Sequence, residues 1–420
     1  MAAFMKNRYF QGMLVGLLVS ALFFSILFAG YLKTNSSLSA EGGNGSTNLT
    51  SEADSDGLLT SKAVKAKISK IKSIIDKYYL NEIDEEKMAE GMYKGLVSSL
   101  EDPYSVYYTK EEFDSLMESS SGSYYGIGAY VSQDVKTGDI TIVKPFEGGP
   151  AYEAGMLPGD VIYKVLGEEV SGKDLSEVVG MMKGEEGTTV DVEIIRKGES
   201  EPIKLTIERR KVEVPTISYE MLDNNVGYIQ IAEFDEVTGP QFRSALTELE
   251  NQGMKGLVID LRNNPGGLLD TVCDMLDRML PEGLIVYTED KNGNRTEEVK
   301  STAKESFDKP LVVMINGNSA SASEVFAGAI QDYGIGTILG TTSFGKGIVQ
   351  SVIPLSDGSG VKITVSKYFT PKGRNIHGIG ITPDVVVELK EDLKNKVTIE
   401  KSEDNQLQEA IKIINEKSKK

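Results

Sequence analysis

The sequence contains one cysteine, Cys273, and one histidine, His377. A single cysteine excludes a framework of intramolecular disulfides. Together the two residues exclude zinc sites assembled from several Cys or His ligands. A mixed site using carboxylates stays open on composition, but nothing in the sequence points to one, and no metal or other cofactor is expected. Basic residues are also in deficit. Lys and Arg number 45 against 63 Asp and Glu, a formal net charge of −18. That balance argues against a nucleic-acid partner, which needs a basic surface to displace counterions. The rest is ordinary: 420 residues, 40% apolar and 26% charged. This composition fits neither a collagen-like nor a disordered chain, and the length asks for two or three domains.

Charge is missing altogether from Tyr9 to Leu32. A helix over that run would be roughly 36 Å long, enough for a hydrocarbon core of about 30 Å. Lys6 and Arg8 precede it and Lys33 alone closely follows. The excess of positive charge before the run places the N-terminus in the cytoplasm and the remainder outside it, as a single-pass protein of the cell membrane. A cleaved signal peptide is the rival reading. It asks for a shorter apolar run and small residues before the cut, whereas Leu27 sits where a small residue is needed for cleavage after Ala29. The expected organisation is therefore an anchor over residues 1–33 and a Ser-, Gly- and Asn-rich flexible linker over 34–60.

Residues 61–111 read as an N-terminal helical region. Val64, Ile68, Ile71, Ile74 and Ile75 recur at helical spacing, and a second periodic run follows Asp84 until Asp102-Pro103-Tyr104 breaks it. From Tyr124 the period changes to two, with short strands at 128–132, 139–143, 161–165, 189–195 and 203–207 and a helix at 174–182. Residues 112–212 are taken as one compact domain. Beyond Val214, strands at 226–231, 255–261 and 310–315 alternate with helices at 239–252, 268–280 and 319–333. Strands apolar on both faces between helices indicate an α/β core over 213–390. Further strands are expected at 337–339, 348–353, 361–368 and 385–389. Residues 391–420 form a charged tail with a short amphipathic helix through Leu407, Ile411 and Ile414.

Three segments of the core can carry chemistry. Gly340–Gly347 nearly matches the phosphate-binding G-x-x-x-x-G-K-[ST] pattern, but Gly347 replaces the hydroxyl residue and a strand pattern follows where a P-loop opens a helix. Nucleotide binding is set aside. Ser319-Ala-Ser-Ala-Ser-Glu opens an apolar helix after an apolar strand. One hydroxyl suffices for an N-cap; a serine there can also act as a nucleophile, with helix N–H groups stabilising an oxyanion. Leu261-Arg-Asn-Asn-Pro-Gly-Gly is a tight turn whose paired glycines let backbone N–H groups approach a ligand. Such a serine needs a base. His377 and Lys346 both qualify, the lysine only if burial beside Phe344, Ile348 and Val349 lowers its pKa enough to supply the neutral amine.

These residues are familiar as a set. Asp260-Leu-Arg-Asn-Asn-Pro-Gly-Gly, Ser319-Ala-Ser-Ala-Ser-Glu-Val-Phe, Ser343-Phe-Gly-Lys-Gly-Ile-Val-Gln and Gly378-Ile-Gly-Ile-Thr-Pro-Asp resemble, in order and spacing, the carboxy-terminal processing (tail-specific) proteases. The resemblance covers roughly residues 61–390. It implies a Clp protease/crotonase-like α/β core with an inserted PDZ domain. It implies Ser321 as nucleophile, Lys346 as general base and Gln350 as the residue that orients the lysine. The oxyanion hole would use the N–H of Ala322 and that of Gly266 or Gly267. Tyr125-Gly126-Ile127-Gly128-Ala129 resembles the PDZ carboxylate-binding loop, in which loop N–H groups take the terminal carboxylate of a tail added as a strand. Gly148–Ile162 resembles the domain's second signature. Lys183 stands where many relatives carry Arg, a position linked to gating in some members. The resulting expectation is a serine endopeptidase that binds C-terminal tails of extracytoplasmic proteins and cleaves nearby. Two alternatives are a catalytically inactive PDZ scaffold and a crotonase-like acyl-CoA enzyme; the intact Ser321–Lys346–Gln350 set speaks against the first and the PDZ insert against the second. The N-terminal helical region and the 407–414 helix are candidate surfaces for a homo-oligomer.

Overall fold

The computed structural model describes residues 57–302, 306–394, 396 and 398–419. The apolar run 9–32 and nearly all of the linker lie outside them. Among the described residues no helix is long and apolar enough to cross a membrane. Two units divide between Asp84 and Glu85. In the first, helix α1 (Lys62–Tyr78) starts at Ser61, whose hydroxyl accepts from the Val64 N–H at 3.4 Å.

The second unit opens with α2 (Glu85–Ser98), the short strand β1 (Val106–Tyr108) and α3 (Lys110–Ser121). The sequence pattern reads as helical over residues 61–111 apart from the break. The structure inserts β1 instead, because Tyr107 is buried against the sheet and Val106 and Tyr108 pair with Lys362 and Gly360. A reciprocal cap between Thr109 and Glu112 starts α3, and Gly122 in left-handed conformation ends it.

Strands β2 (Ser123–Gly126) through β9 (Arg210–Glu213) follow. β3 (Ala129–Gln133), β4 (Ile140–Pro145), β5 (Val161–Val165), β7 (Thr189–Ile195) and β8 (Ile203–Glu208) form an antiparallel sheet in that order, with β6 (Glu168–Glu169) paired to β5. A short helix α4 (Pro150–Glu153) and α5 (Leu175–Met182) complete the segment. Alternate residues Val190, Val192 and Ile194 meet Ile140, Ile142, Ile162, Val178 and Ile207 in one core. β2 and β9 pair with each other and bring the chain back beside its point of departure.

Beyond it lies a six-stranded sheet, ordered β10 (Ile217–Leu222), β11 (Val226–Ile231), β12 (Gly256–Asp260), β15 (Leu311–Ile315), β16 (Thr337–Gly340) and β19 (Val385–Val386). All neighbours are parallel except β10 and β11. β12 and β15 are buried throughout because helices cover both faces. Leu257, Ile259 and Val313 pack with α6 (Thr238–Asn251), α7 (Leu269–Asp277) and α8 (Ala322–Tyr333). Val258, Val312 and Met314 pack with Leu407, Ala410 and Ile414 of α9 (Asn405–Lys417). The apolar stripe of that last helix, expected to be open for self-association, is thus spent on the sheet.

A second, antiparallel sheet runs β1, β18 (Gly360–Phe369), β13 (Gly283–Glu289), β14 (Arg295–Ser301), with β17 (Ile348–Pro354) also on β18. The β13–β14 hairpin escaped the sequence pattern. Most of β14 is exposed, and its Arg-Thr-Glu-Glu-Val-Lys run has no apolar alternation.

Candidate active site

Parallel pairing of β12 with β15 brings two turns to the same end of the sheet. One is Leu261–Leu268 after β12. The other is Asn316–Ser321 after β15, which opens α8. Crevices at the carboxyl ends of parallel strands are the usual ligand positions in such sheets.

The alternating serines now have separate roles. Ser319, fully buried, donates to the Leu261 carbonyl at 2.8 Å. Ser323, also fully buried, donates to the Asn264 carbonyl at 3.0 Å. Both flanking hydroxyls therefore tie the helix start to the neighbouring turn, and Ser321 between them is free of that duty. The helix expected from Ser319 begins instead at Ala322, because Ser321 has φ +54° and ψ −116°. This conformation is costly for a residue with a Cβ. It makes a sharp strand-to-helix turn of the kind that projects a nucleophilic hydroxyl.

Glu324 compensates the strain. Its carboxylate is completely buried in the first turn of α8. One oxygen, Oε2, accepts from the N–H of Ser321 and from the N–H of Lys346, both at 2.8 Å. The other, Oε1, accepts from the Ser343 hydroxyl at 2.5 Å and from the Gly345 N–H at 2.7 Å. The buried Tyr368 hydroxyl makes a second bridge, 2.6 Å from the Lys346 carbonyl and 3.0 Å from that of Ser321. Burial and the Glu324 charge raise its pKa well above that of an ordinary phenol, so it is a donor at any working pH. The main chains of Ser321 and Lys346 are thus stapled together twice. Neither staple was identified from sequence, where the alternating Ser/Ala run reads as an N-cap or a nucleophile and Glu324 carries no role.

Lys346 lies between Gly345 and β17, so the Gly340–Gly347 segment does lead into a strand. Its side chain is half-buried. Burial lowers its pKa first, and the nearby Lys362 lowers it further; Asp102 and Glu324 oppose this. Of the residues expected to dry its surroundings, Ile348 is buried but Phe344 is exposed. An aromatic face comes instead from Tyr104, whose ring centre is 4.5 Å from the lysine Nζ. Gln350 donates from Nε2 to the Thr364 hydroxyl at 3.2 Å. His377 is exposed, and its N–H occupies the space a side chain at Gly347 would need.

The Pro-Gly-Gly turn uses its glycines differently. Gly266 has φ +111°, and a Cβ on it would lie 2.8 Å from the Ser321 Cβ and 3.1 Å from the Ala322 nitrogen. Its own N–H is given to Asn264 Oδ1 at 2.8 Å. Gly267 has φ +141°, and a Cβ there would collide with Phe234. Among the described residues, neither the Gly267 nor the Ala322 N–H donates a hydrogen bond. Arg262 fixes the root of this turn by bonding Asp260, Asp404 and Gln406, which links the tail to the site.

In the carboxylate-loop segment, Gly126, Ile127 and Gly128 are buried, Ala129 is half-buried and Tyr125 is exposed. The ring of Tyr124 crosses the loop: a Cβ on Gly126 would meet it at 2.9 Å. The Tyr124 hydroxyl faces the N–H groups of Ala129 and Gly128, and burial raises its pKa. Lys183 stacks on that ring, 4.9 Å from its centre, and pairs with Glu118 of α3. The Tyr124 hydroxyl therefore stands near the N–H groups expected to await a carboxylate.

Comparison with known proteins agrees with this architecture. The model of peptidase family S41 matches residues 225–387, a PDZ-domain model residues 141–196, and a model of the activating protease CtpB N-terminal domain residues 25–112. The carboxy-terminal processing protease CtpA of Bacillus subtilis is 41% identical over 324 residues, 77% of this chain and 69% of that protein. CtpB of the same organism is 38% identical over 344 residues, 81% of this chain and 70% of that protein. A putative S41 protease from Bacteroides fragilis shares the fold at a TM-score of 0.51 and 18% identity, covering 81% of this chain and 93% of that one.

Proposed function

We propose, from the premise that this chain belongs to peptidase family S41 and to the carboxy-terminal processing proteases within it, that Ser321 and Lys346 form the working dyad of an endopeptidase acting near protein C-termini. The membership makes the chain a serine protease with a PDZ domain, acting on proteins or peptides. The observation that carries the finer reading is the double staple. Ser321 sits in a strained turn at a helix N-terminus, and Glu324 and Tyr368 each hold its main chain to that of Lys346.

The mechanism follows from those positions. The neutral amine of Lys346 takes the Ser321 proton as Oγ attacks the scissile carbonyl. The Ala322 and Gly267 N–H groups receive the developing oxyanion; Gly266 is committed to Asn264. Lys346 then returns the proton to the leaving amine, and water hydrolyses the acyl-enzyme. Gln350, whose Nε2 is given to the Thr364 hydroxyl, is read as orienting the lysine by accepting from its amine through Oε1. The core is read as Clp protease/crotonase-like. The uncharged run 9–32 is read as a membrane anchor that holds the protease outside the cytoplasm.

The lysine is competent only when neutral, so activity must rise with pH through its pKa, which burial displaces downward. A kcat/KM profile from about pH 5 to 10, on a labelled unstructured protein with a free apolar C-terminus, is expected to climb to an alkaline plateau. EDTA is expected to leave it unchanged. A flat profile, or loss with EDTA that zinc restores, removes the Ser-Lys mechanism.

Tail recognition has its own test. A peptide with a free apolar C-terminus is expected to bind the Ser321→Ala chain, and amidating its end to weaken binding about 10- to 100-fold, the loss of charge-assisted hydrogen bonds. The Tyr124 hydroxyl stands near those N–H groups and competes for the same space, so Tyr124→Phe is expected to tighten binding a few-fold. Equal affinity for acid and amide would sink the assignment of residues 125–129.

A further inference from the structure

The Asp102–Ser105 turn lies more than two hundred residues before Ser321 in sequence, and its pattern reads only as a helix breaker. In the structure it meets the lysine. Tyr104 puts its ring face 4.5 Å from Lys346 Nζ. Asp102 faces the same ammonium with negative charge. The turn is rigidly built. Asp102 Oδ1 accepts from the Tyr104 N–H at 3.1 Å and Oδ2 from the Ser105 hydroxyl at 2.6 Å. The Ser105 oxygen in turn accepts from the Thr364 N–H at 3.1 Å. Thr364 stands opposite Gln350 in the β17–β18 register and takes its side-chain hydrogen bond. β1, directly after the turn, is hydrogen-bonded to β18 through Val106, Tyr107 and Tyr108. One continuous set of bonds thus runs from the turn through β18 to Gln350, and Lys346 lies against its open end.

We propose that the Asp102–Ser105 turn is the positioning element of the base: the Tyr104 ring and the Asp102 carboxylate receive the Lys346 side chain and fix where its amine stands. The proposal rests on Lys346 being the base. Neither Tyr104 nor Asp102 touches substrate in this role; both act through the lysine.

Four charged or aromatic groups face Lys346. Asp102 from the turn and Glu324 from α8 favour the ammonium, as does the Tyr104 ring face. Lys362 from β18 disfavours it. Removing Asp102's charge must therefore lower the pKa of the base, and removing Lys362's must raise it. A merely structural turn produces no such opposition of sign.

The experiment is a kcat/KM profile against pH for the full chain and four variants, with Lys346→Ala as a control and the same labelled protein substrate. Asp102→Asn is expected to move the rising limb to lower pH and Lys362→Met to higher pH, each by about half to one unit. Tyr104→Leu is expected to lower kcat at least tenfold with little change in KM, and Tyr104→Phe, which keeps the ring, to restore it. Circular dichroism checks that each variant is folded. Limbs that coincide with wild type in both charge variants, or move the same way, overturn the proposal while leaving the dyad intact. An active Lys346→Ala variant overturns the base assignment itself, and the proposal with it.

Discussion

Ser321→Ala and Lys346→Ala are each expected to abolish proteolysis, lowering kcat by a factor on the order of 10³ or more, while His377→Ala keeps most of it. The first two remove members of one unit, so the double variant should be little worse than either single one. The histidine is exposed, and the groups that organise Ser321 reach Lys346 instead: Glu324 through both N–H groups, Tyr368 through both carbonyls. Turnover of the labelled protein, followed by gel and by fluorescence, decides the matter. A dead histidine variant beside a working lysine variant would reverse the assignment. The catalytically inactive scaffold reading makes the opposite forecast, since no substitution can remove an activity that is absent.

The parts of the fold that were legible from sequence are those with a single strong period. β15 is apolar throughout, and β11 and β12 are so apart from Gln230 and the terminal Asp260; the structure places all three within a residue of the expected limits because both sheet faces are covered. The strands of the PDZ-like segment alternate, and their inward residues are the ones in its core. What failed lacked such a signal. β14 is an edge strand of charged residues. β1 is three residues long and owes its form to β18, which lies some 250 positions away in sequence. The site shows the same division. The serine, the lysine and the glycine turn sit in local motifs that a linear reading can find. The groups that bring them together do not. Tyr368 looks like one more strand aromatic, and Tyr104 like part of a break. Their work depends on distances between segments remote in sequence, which no periodicity encodes. Tyr124 is a similar case, since nothing in Tyr-Tyr-Gly-Ile-Gly tells which tyrosine turns back over the loop.

Glu324→Gln is expected to cost about 10²-fold or more in kcat with a much smaller rise in KM, although it changes one atom. All four of the hydrogen bonds to the carboxylate are accepted ones. An amide keeps one acceptor oxygen and turns the other position into a donor. Placed toward Ser321 and Lys346, the new NH₂ would confront two backbone N–H groups that cannot reverse. Placed toward Ser343 and Gly345, it can at best donate to the Ser343 hydroxyl, which already accepts from the Ile381 N–H at 2.6 Å; the Gly345 N–H is then left unpaired. Each buried donor without a partner costs about 1–3 kcal/mol, so the amide settles on the Gly345 side and the loop 343–346 must shift. The negative charge at the start of α8 is lost as well, and with it a favourable interaction with the helix dipole. Because Ser321 keeps its strained φ only while this carboxylate holds its N–H, the small stability loss is concentrated on the nucleophile. Glu324→Ala, which abandons all four donors, is expected to be less stable still, visible as a fall in Tm beyond that of the Gln variant. The distinguishing measurement pairs kcat with Tm: a Gln variant with wild-type kcat and an unchanged melting curve would show that the Ser321–Lys346 geometry is held by something other than Glu324.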